Sequence, residues 1–162
     1  MKNTLLIASL VVASSAASSG TALAGGIPGS IGVGAEFEIS NLGGVSVNYD
    51  AGRFHLGGFL GFNDPPGGDN DQFDIGGRFF YHIASTASAD FSLGGGLGIR
   101  SQATAGDRAT DLFLEPGFQI RAFIVPNVAL SFTGGISIGT IDAEGVRITG
   151  DFNGNAGVHY YF

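Results

Sequence analysis

The chain has 162 residues, 14 acidic against 7 basic, and is 44% hydrophobic but only 13% charged, with 29 glycines and no cysteine or tryptophan. Lacking cysteine, it has no disulfide framework, thiol nucleophile, zinc finger or iron–sulfur site, and its mean hydropathy of +0.28 excludes a disordered chain. The glycines keep no Gly-X-Y period, which excludes collagen, and an acidic chain whose only lysine is Lys2 offers no basic face to a phosphate backbone, so no nucleic-acid partner is expected.

Residues 1–24 read as a cleaved secretory signal peptide. Lys2 supplies the positive start, Leu5 to Val12 the apolar run and Ala22-Leu23-Ala24 the small-residue cleavage site. The run is too short to cross a bilayer as a helix. The remaining 25–162 form one domain that leaves the cytoplasm.

From Ser30 onward no 3.6-residue apolar stripe appears. Apolar residues alternate with glycine, polar and charged ones, which is the period of a strand. The runs are Ser30 to Ser40, Gly44 to Ala51, Arg53 to Phe62, Gln72 to Ile83, Ala89 to Ser101, Asp111 to Phe123, Asn127 to Gly139 and Phe152 to Phe162. Most have the roughly 9 to 11 residues that a tilted strand needs to cross a membrane. Short connections (Asp50 to Arg53, Ala84 to Ser88, Val125 to Asn127) interleave with long ones (Asn63 to Asp71, Gln102 to Thr110, Thr140 to Asp151), and Asn41 to Gly43 is a short exception among the latter. Pro116 falls inside the sixth run, where it forfeits a ladder bond and predicts a bulge or local distortion.

The two faces of these strands differ in kind. One carries residues such as Ile31, Val33, Val45, Val47, Leu56, Leu60, Ile75, Phe79, Leu93, Leu97, Leu114, Ile120, Leu130 and Phe132, with no charge anywhere on it. The other carries Glu36, Glu38, Asp50, His55, Asp74, Arg78, His82, Asp90, Arg100, Glu115, Gln119, Arg121, Asn155, His159 and Tyr161 between glycines. In a secreted soluble barrel the apolar face fills the interior. In a membrane barrel it meets lipid, where a charge at the midplane costs roughly 2–4 kcal/mol, and the charged face lines a narrow lumen. The charge-free face over all eight runs predicts the membrane arrangement: an all-β, closed, antiparallel, eight-stranded up-and-down transmembrane β-barrel, closed because unpaired strand edges in hydrocarbon are costly. Phe37, Tyr49, Phe54, Phe62, Tyr81, Phe152, Tyr160 and Phe162, at strand ends, are expected in aromatic girdles.

The final run, Ala156-Gly157-Val158-His159-Tyr160-Tyr161-Phe162, alternates and ends on an aromatic residue. With it, Ser30 to Phe162 resembles the small eight-stranded outer-membrane barrels of the OmpA-like and OmpX-like kind. That resemblance implies a place in the outer membrane of a Gram-negative envelope, with its lipid and lipopolysaccharide as surroundings and a monomeric state. It also implies that Val158, Tyr160 and Phe162 form the signal read by the barrel assembly machinery, with periplasmic chaperones handling the unfolded chain. With the sequence ending at Phe162, the peptidoglycan-binding domain of some members is expected to be absent.

Fold alone carries no activity. The luminal residues Glu36, Glu38, Arg78, Arg100, Glu115 and Arg121 are expected to form an ion network that plugs an interior already nearly filled by side chains, a narrow conduit being the alternative. Inward glycines such as Gly94, Gly96 and Gly98 leave space for water pockets. His55, His82 and His159 all point inward and fall toward the periplasmic strand ends. If they converge, they offer zinc or copper ligands or a pH-sensitive plug; otherwise they are histidines hydrogen-bonded to Tyr161, an aspartate or water. No metal and no cofactor is expected. The outer connections hold Asp64, Asp69, Asp71, Asp107, Asp142, Glu144 and Asp151 against Arg108 and Arg147, and Asp69-Asn70-Asp71 lacks the full calcium-loop spacing, so a solvated acidic rim is expected. No catalytic residue is expected. The residues that follow the histidines, Leu56, Ile83 and Tyr160, do not make the His-Ser pair of barrel lipid A deacylases, the histidines lie at the wrong end for barrel palmitoyltransferases and proteases, and no nucleophile elbow is present. The functions expected are a structural or surface-interacting barrel, or a narrow channel or carrier for small or hydrophobic solutes, with a secreted soluble barrel that binds an apolar ligand in its core as the third alternative.

Overall fold

In the computed structural model, which describes residues 27–38, 42–66, 70–104, 107–141, 145–148 and 155–162, alternation is expressed as strand throughout. The strands are β1 (Ile31–Glu38), β2 (Gly43–Asp50), β3 (Phe54–Asn63), β4 (Gln72–Ser85), β5 (Ala89–Thr104), β6 (Asp107–Val125), β7 (Val128–Ile141), β8 (Gly145–Ile148) and β9 (Asn155–Tyr161). The signal segment 1–24 lies outside the described residues.

Every neighbour pairs antiparallel from β1 to β7. The ring closes through β9, which pairs with β1 (Gly32 opposite Tyr161, Glu38 opposite Asn155) and with β7 (Val128 opposite Tyr160, Thr133 opposite Asn155). A closed ring leaves no sheet edge in the wall. The eighth position is shared: β8 pairs with β7 at Ile136 to Gly139, on the edge that β9 uses lower down, so both occupy one strand's place. Two expected loops are therefore shorter than the sequence suggested. The segment Gln102 to Thr110 is largely a β5–β6 hairpin, with Thr104 opposite Asp107, and Thr140 to Asp151 contains β8. The β5–β6 extension lacks an apolar face, and β8 shows only Val146 and Ile148 in alternation, too short a run to mark a strand.

Pro116 produces no bulge. It pairs across to Gly95 on β5, while the β6–β7 ladder skips from Leu114–Ile138 to Gly117–Gly135 without changing register. The missing N–H removes a bond locally and the strand continues. Register shifts fall instead at His82/Ala84 and Phe123/Val125, beside the tight turns. Gly52, with φ +86°, turns the chain between β2 and β3 where a side chain would be strained.

The interior is polar and the exterior apolar. Val47, Leu56, Phe79, Leu93, Leu97, Leu114 and Phe132 are all exposed, while Glu36, Asp50, Asp74, Glu115 and Arg121 are fully buried at 0% relative exposure. A soluble barrel requires the opposite arrangement. Of the expected girdle, Phe37, Tyr49, Phe62, Tyr81 and Phe162 are exposed at strand ends. Phe54 is half-buried against Phe79, Tyr160 half-buried against Phe162, and Phe152 lies outside the described residues.

Candidate functional site

Within the barrel wall, period-two alternation turns the charged residues of the strands to the lumen, where they form three tiers, each centred on one arginine, while Arg108 of β6 lies outside at the rim. At the end of the barrel farthest from Ile31 and Tyr161, Arg100 on β5 reaches Glu38 on β1 (2.5 Å) and lies 2.8–3.1 Å from both oxygens of Asp74 on β4. Gln72 Nε2 donates to the same Asp74 (3.0 Å), and the guanidinium lies over Phe113, 5.4 Å from the ring centre. Glu115 is buried at 0% exposure on β6.

At the waist, Arg78 on β4 pairs with Glu36 on β1 at 2.5 Å, and Asn155 Nδ2 donates to Glu36 (3.0 Å). His159 on β9 turns Nε2 toward Glu36 Oε1 (3.1 Å) and Ser46 Oγ (2.5 Å). A nucleophilic serine needs a carboxylate on the imidazole nitrogen opposite the one facing it. Here both partners crowd one nitrogen and Nδ1 has no hydrogen-bond partner among the described residues, so the trio is a buried polar cluster without relay geometry.

The tier nearest Ile31 and Tyr161 is the most connected. Arg121 on β6 donates through Nε and Nη2 to Asp90 on β5 (2.8–3.2 Å), through Nη2 to Asp50 on β2 (2.8 Å) and through Nη1 to the Tyr161 hydroxyl (3.1 Å). The same Nη2 lies 3.1 Å from His82 Nε2. His82 in turn touches His55 (Nε2 to Nδ1, 2.8 Å), and its Nδ1 sits 2.9 Å from the Gly52 carbonyl oxygen. Asp50 Oδ1 accepts from the Gly52 N–H (2.9 Å), which ties the β2–β3 turn to the tier.

All six residues expected in a luminal ion network are thus inside the barrel, but in separate groups rather than one. The three histidines do not converge. His55 and His82 meet at the turn, whereas His159 belongs to the waist, because β9 enters the ladder with His159 opposite Gly34 and Ala129. No cluster of three or more metal-ligating side chains exists among the described residues. Several inward glycines are seats for large side chains: a Cβ on Gly157 would lie 2.7 Å from Glu36 Cγ and 2.8 Å from Ser131 Oγ, and one on Gly44 would meet the Phe59 ring at 2.7 Å. Inward Phe59, Phe80 and Phe113 are also buried beside the charges. Parity alone marked these three as luminal, since each sits an odd number of residues from an outward neighbour.

On the rim, Arg108 pairs with Asp71 (2.7 Å) and donates to Ser101 Oγ (2.9 Å), binding the 64–71 connection to the β5–β6 hairpin. Asp71 is therefore committed to an arginine, while Asp69, Asp142, Glu144 and Asp151 lie outside the described residues. The outward side chains of the last strand, Val158 and Phe162, are exposed on the outer face of the wall, with Tyr160 half-buried between them.

A solved structure shares this architecture. The N-terminal β-barrel domain of Pseudomonas aeruginosa OprF superposes with a TM-score of 0.63 over 83% of this chain and 98% of that one, at 14% identity. The chain has the OmpA-like barrel fold. No family model and no curated protein matches the sequence. At that identity the likeness between the two barrels is one of fold, and the luminal tiers are described from this chain's own residues.

Proposed function

We propose that the protein is an integral outer-membrane β-barrel with a structural or surface-interacting role, its lumen plugged by the three arginine tiers. The observation that carries this reading is the inversion of the barrel: apart from Arg108 at the rim, the outward side chains of the described strands carry no charge, while the inside is ion-paired. Hydrocarbon tolerates that exterior, and the closed ladder leaves it no unpaired backbone edge. Arg100 and Arg121 each bridge carboxylates from two other strands, Arg78 pairs with Glu36 of β1, and large side chains occupy glycine seats between the tiers, which supports a plug over an open conduit. The aromatic outward face of β9 at Val158, Tyr160 and Phe162 suits recognition by barrel assembly machinery after delivery by periplasmic chaperones. Outer-membrane lipid and lipopolysaccharide are the expected surroundings of a monomer to which no catalytic activity is assigned.

Fractionation of unboiled membranes tests this directly. The expected result is a protein in the outer-membrane fraction that migrates faster unboiled than boiled, and that leaves planar bilayers silent at neutral pH. A soluble periplasmic protein would overturn the membrane reading. Steady conductance would overturn the plug and favour a narrow channel for small solutes.

A further inference from the structure

The tier nearest Ile31 and Tyr161 contains a histidine whose protonation state is dictated by its neighbours. A carbonyl oxygen only accepts, so the Gly52 oxygen 2.9 Å from His82 Nδ1 places the ring proton on Nδ1. The neutral ring then presents a bare Nε2 whose single lone pair accepts from His55 Nδ1–H at 2.8 Å, while Arg121 Nη2, whose two N–H groups go to Asp50 and Asp90, lies 3.1 Å away. Adding a proton to Nε2 would turn this acceptor into a donor facing two donors, one of them a guanidinium.

The titratable and charged groups around His82 are Asp50 on β2, Arg53 in the turn, His55 on β3, Asp90 on β5, Arg121 on β6 and Tyr161 on β9 with His159 beyond it. Asp50 and Asp90 would be the acceptors nearest the charged ring, and both are already bound by Arg121. A protonated His82 would compete with Arg121 for them. At the opposite end of the lumen Arg100 is held by Glu38 and Asp74.

We propose that His82 is an acid-sensitive latch: neutral, it accepts from His55 and leaves Arg121 undisturbed on Asp50, Asp90 and Tyr161 in a closed plug at this end of the barrel, and protonated it loses His55 and repels the adjacent guanidinium while the Arg100 tier stays paired. The proposal rests on the plugged-lumen reading above. Histidine is the side chain suited to such a switch, because its charge changes within the range that a cell envelope meets.

The test is a titration of the full mature chain in lipid nanodiscs from about pH 8 to about pH 4.5, across the imidazole range. It follows the long-range 1H–15N pattern of the imidazoles and the Nε–H resonances of Arg121 and Arg100. The expected result is that His82 passes from the Nδ1–H tautomer to the doubly protonated form and that Arg121 Nε–H shifts in the same step, with Arg100 unmoved. In His82→Asn, which keeps an acceptor and cannot charge, the Arg121 step should vanish; His82→Gln serves the same purpose if the first variant does not fold. A His82 that stays singly protonated, an Arg121 that does not respond when His82 charges, or an Arg121 step retained in a folded variant would each overturn the latch. Conductance at neutral pH overturns the plug instead, so the two failures are distinguishable.

Discussion

Arg100 and Arg121 each face two carboxylates at opposite ends of the same lumen, yet their surroundings differ. Arg121 is fully buried, shares its guanidinium among Asp50, Asp90, Tyr161 and His82, and lies 5.6 Å from the Phe123 ring centre and 5.9 Å from that of Tyr161. Arg100 retains 8% exposure and has one aromatic ring beneath it. A buried charge must be matched by partners in proportion to the water it has lost. The more enclosed tier accordingly adds a tyrosine hydroxyl and two histidines to its carboxylates, while at the more open one Glu38 and Asp74 hold the arginine and Gln72 supports Asp74.

Removing the arginines breaks or sharpens this contrast most strongly. Arg121→Ala leaves Asp50 and Asp90 buried without a counter-charge and should cost about 3–5 kcal/mol, with Arg100→Ala costing about half as much because water reaches its end of the lumen. Urea unfolding in lipid vesicles, followed by circular dichroism and by the mobility of unboiled samples, measures both; equal losses would show that the two tiers are equivalent. Next in size is the outer surface of the wall between the tiers. Leu93→Arg, near mid-height on β5 and facing lipid, should cost roughly 2–4 kcal/mol in the same assay, whereas a loss near zero would mean that this surface is not in hydrocarbon.

The waist between the two ends should respond through volume rather than charge. Gly157→Val pushes a side chain into Glu36 and Ser131 and should cost about 1–3 kcal/mol by overpacking, with the Arg78–Glu36 pair displaced in side-chain NMR spectra. The smallest effect is expected outside both tiers. The Arg108–Asp71 pair on the rim is half exposed on the arginine side, so Arg108→Ala should change stability by less than about 1 kcal/mol, while loosening the 64–71 connection enough to raise its cleavage rate in limited proteolysis.

Legibility in the sequence followed the range of the interactions concerned. Residues two apart share a face whatever the rest of the chain does, so the inward positions of Glu36, Arg78, Arg100, Glu115 and Arg121 could be read from local alternation. Inward Phe59, Phe80 and Phe113 carried the same parity signal, but a search for polar residues passed over them. The strand character of Ala103, Thr104 and Asp107 to Thr110 was harder to see because they carry no apolar face, and that of Gly145–Ile148 because two alternating apolar residues, Val146 and Ile148, are too short a signal.

By itself the sequence determined the barrel class, the strand number and which residues face outward, because each follows from a two-residue period and from the sorting of charged from apolar residues between its two faces. Only the tertiary structure decided which luminal groups touch. Arg121 and Asp50 are 71 positions apart and Asn155 and Glu36 are 119 apart, and such pairs are set by register and tilt accumulated around the closed ring. That is why His82 lies against His55 and Arg121, while His159, also inward, is held at the waist by Glu36 and Ser46.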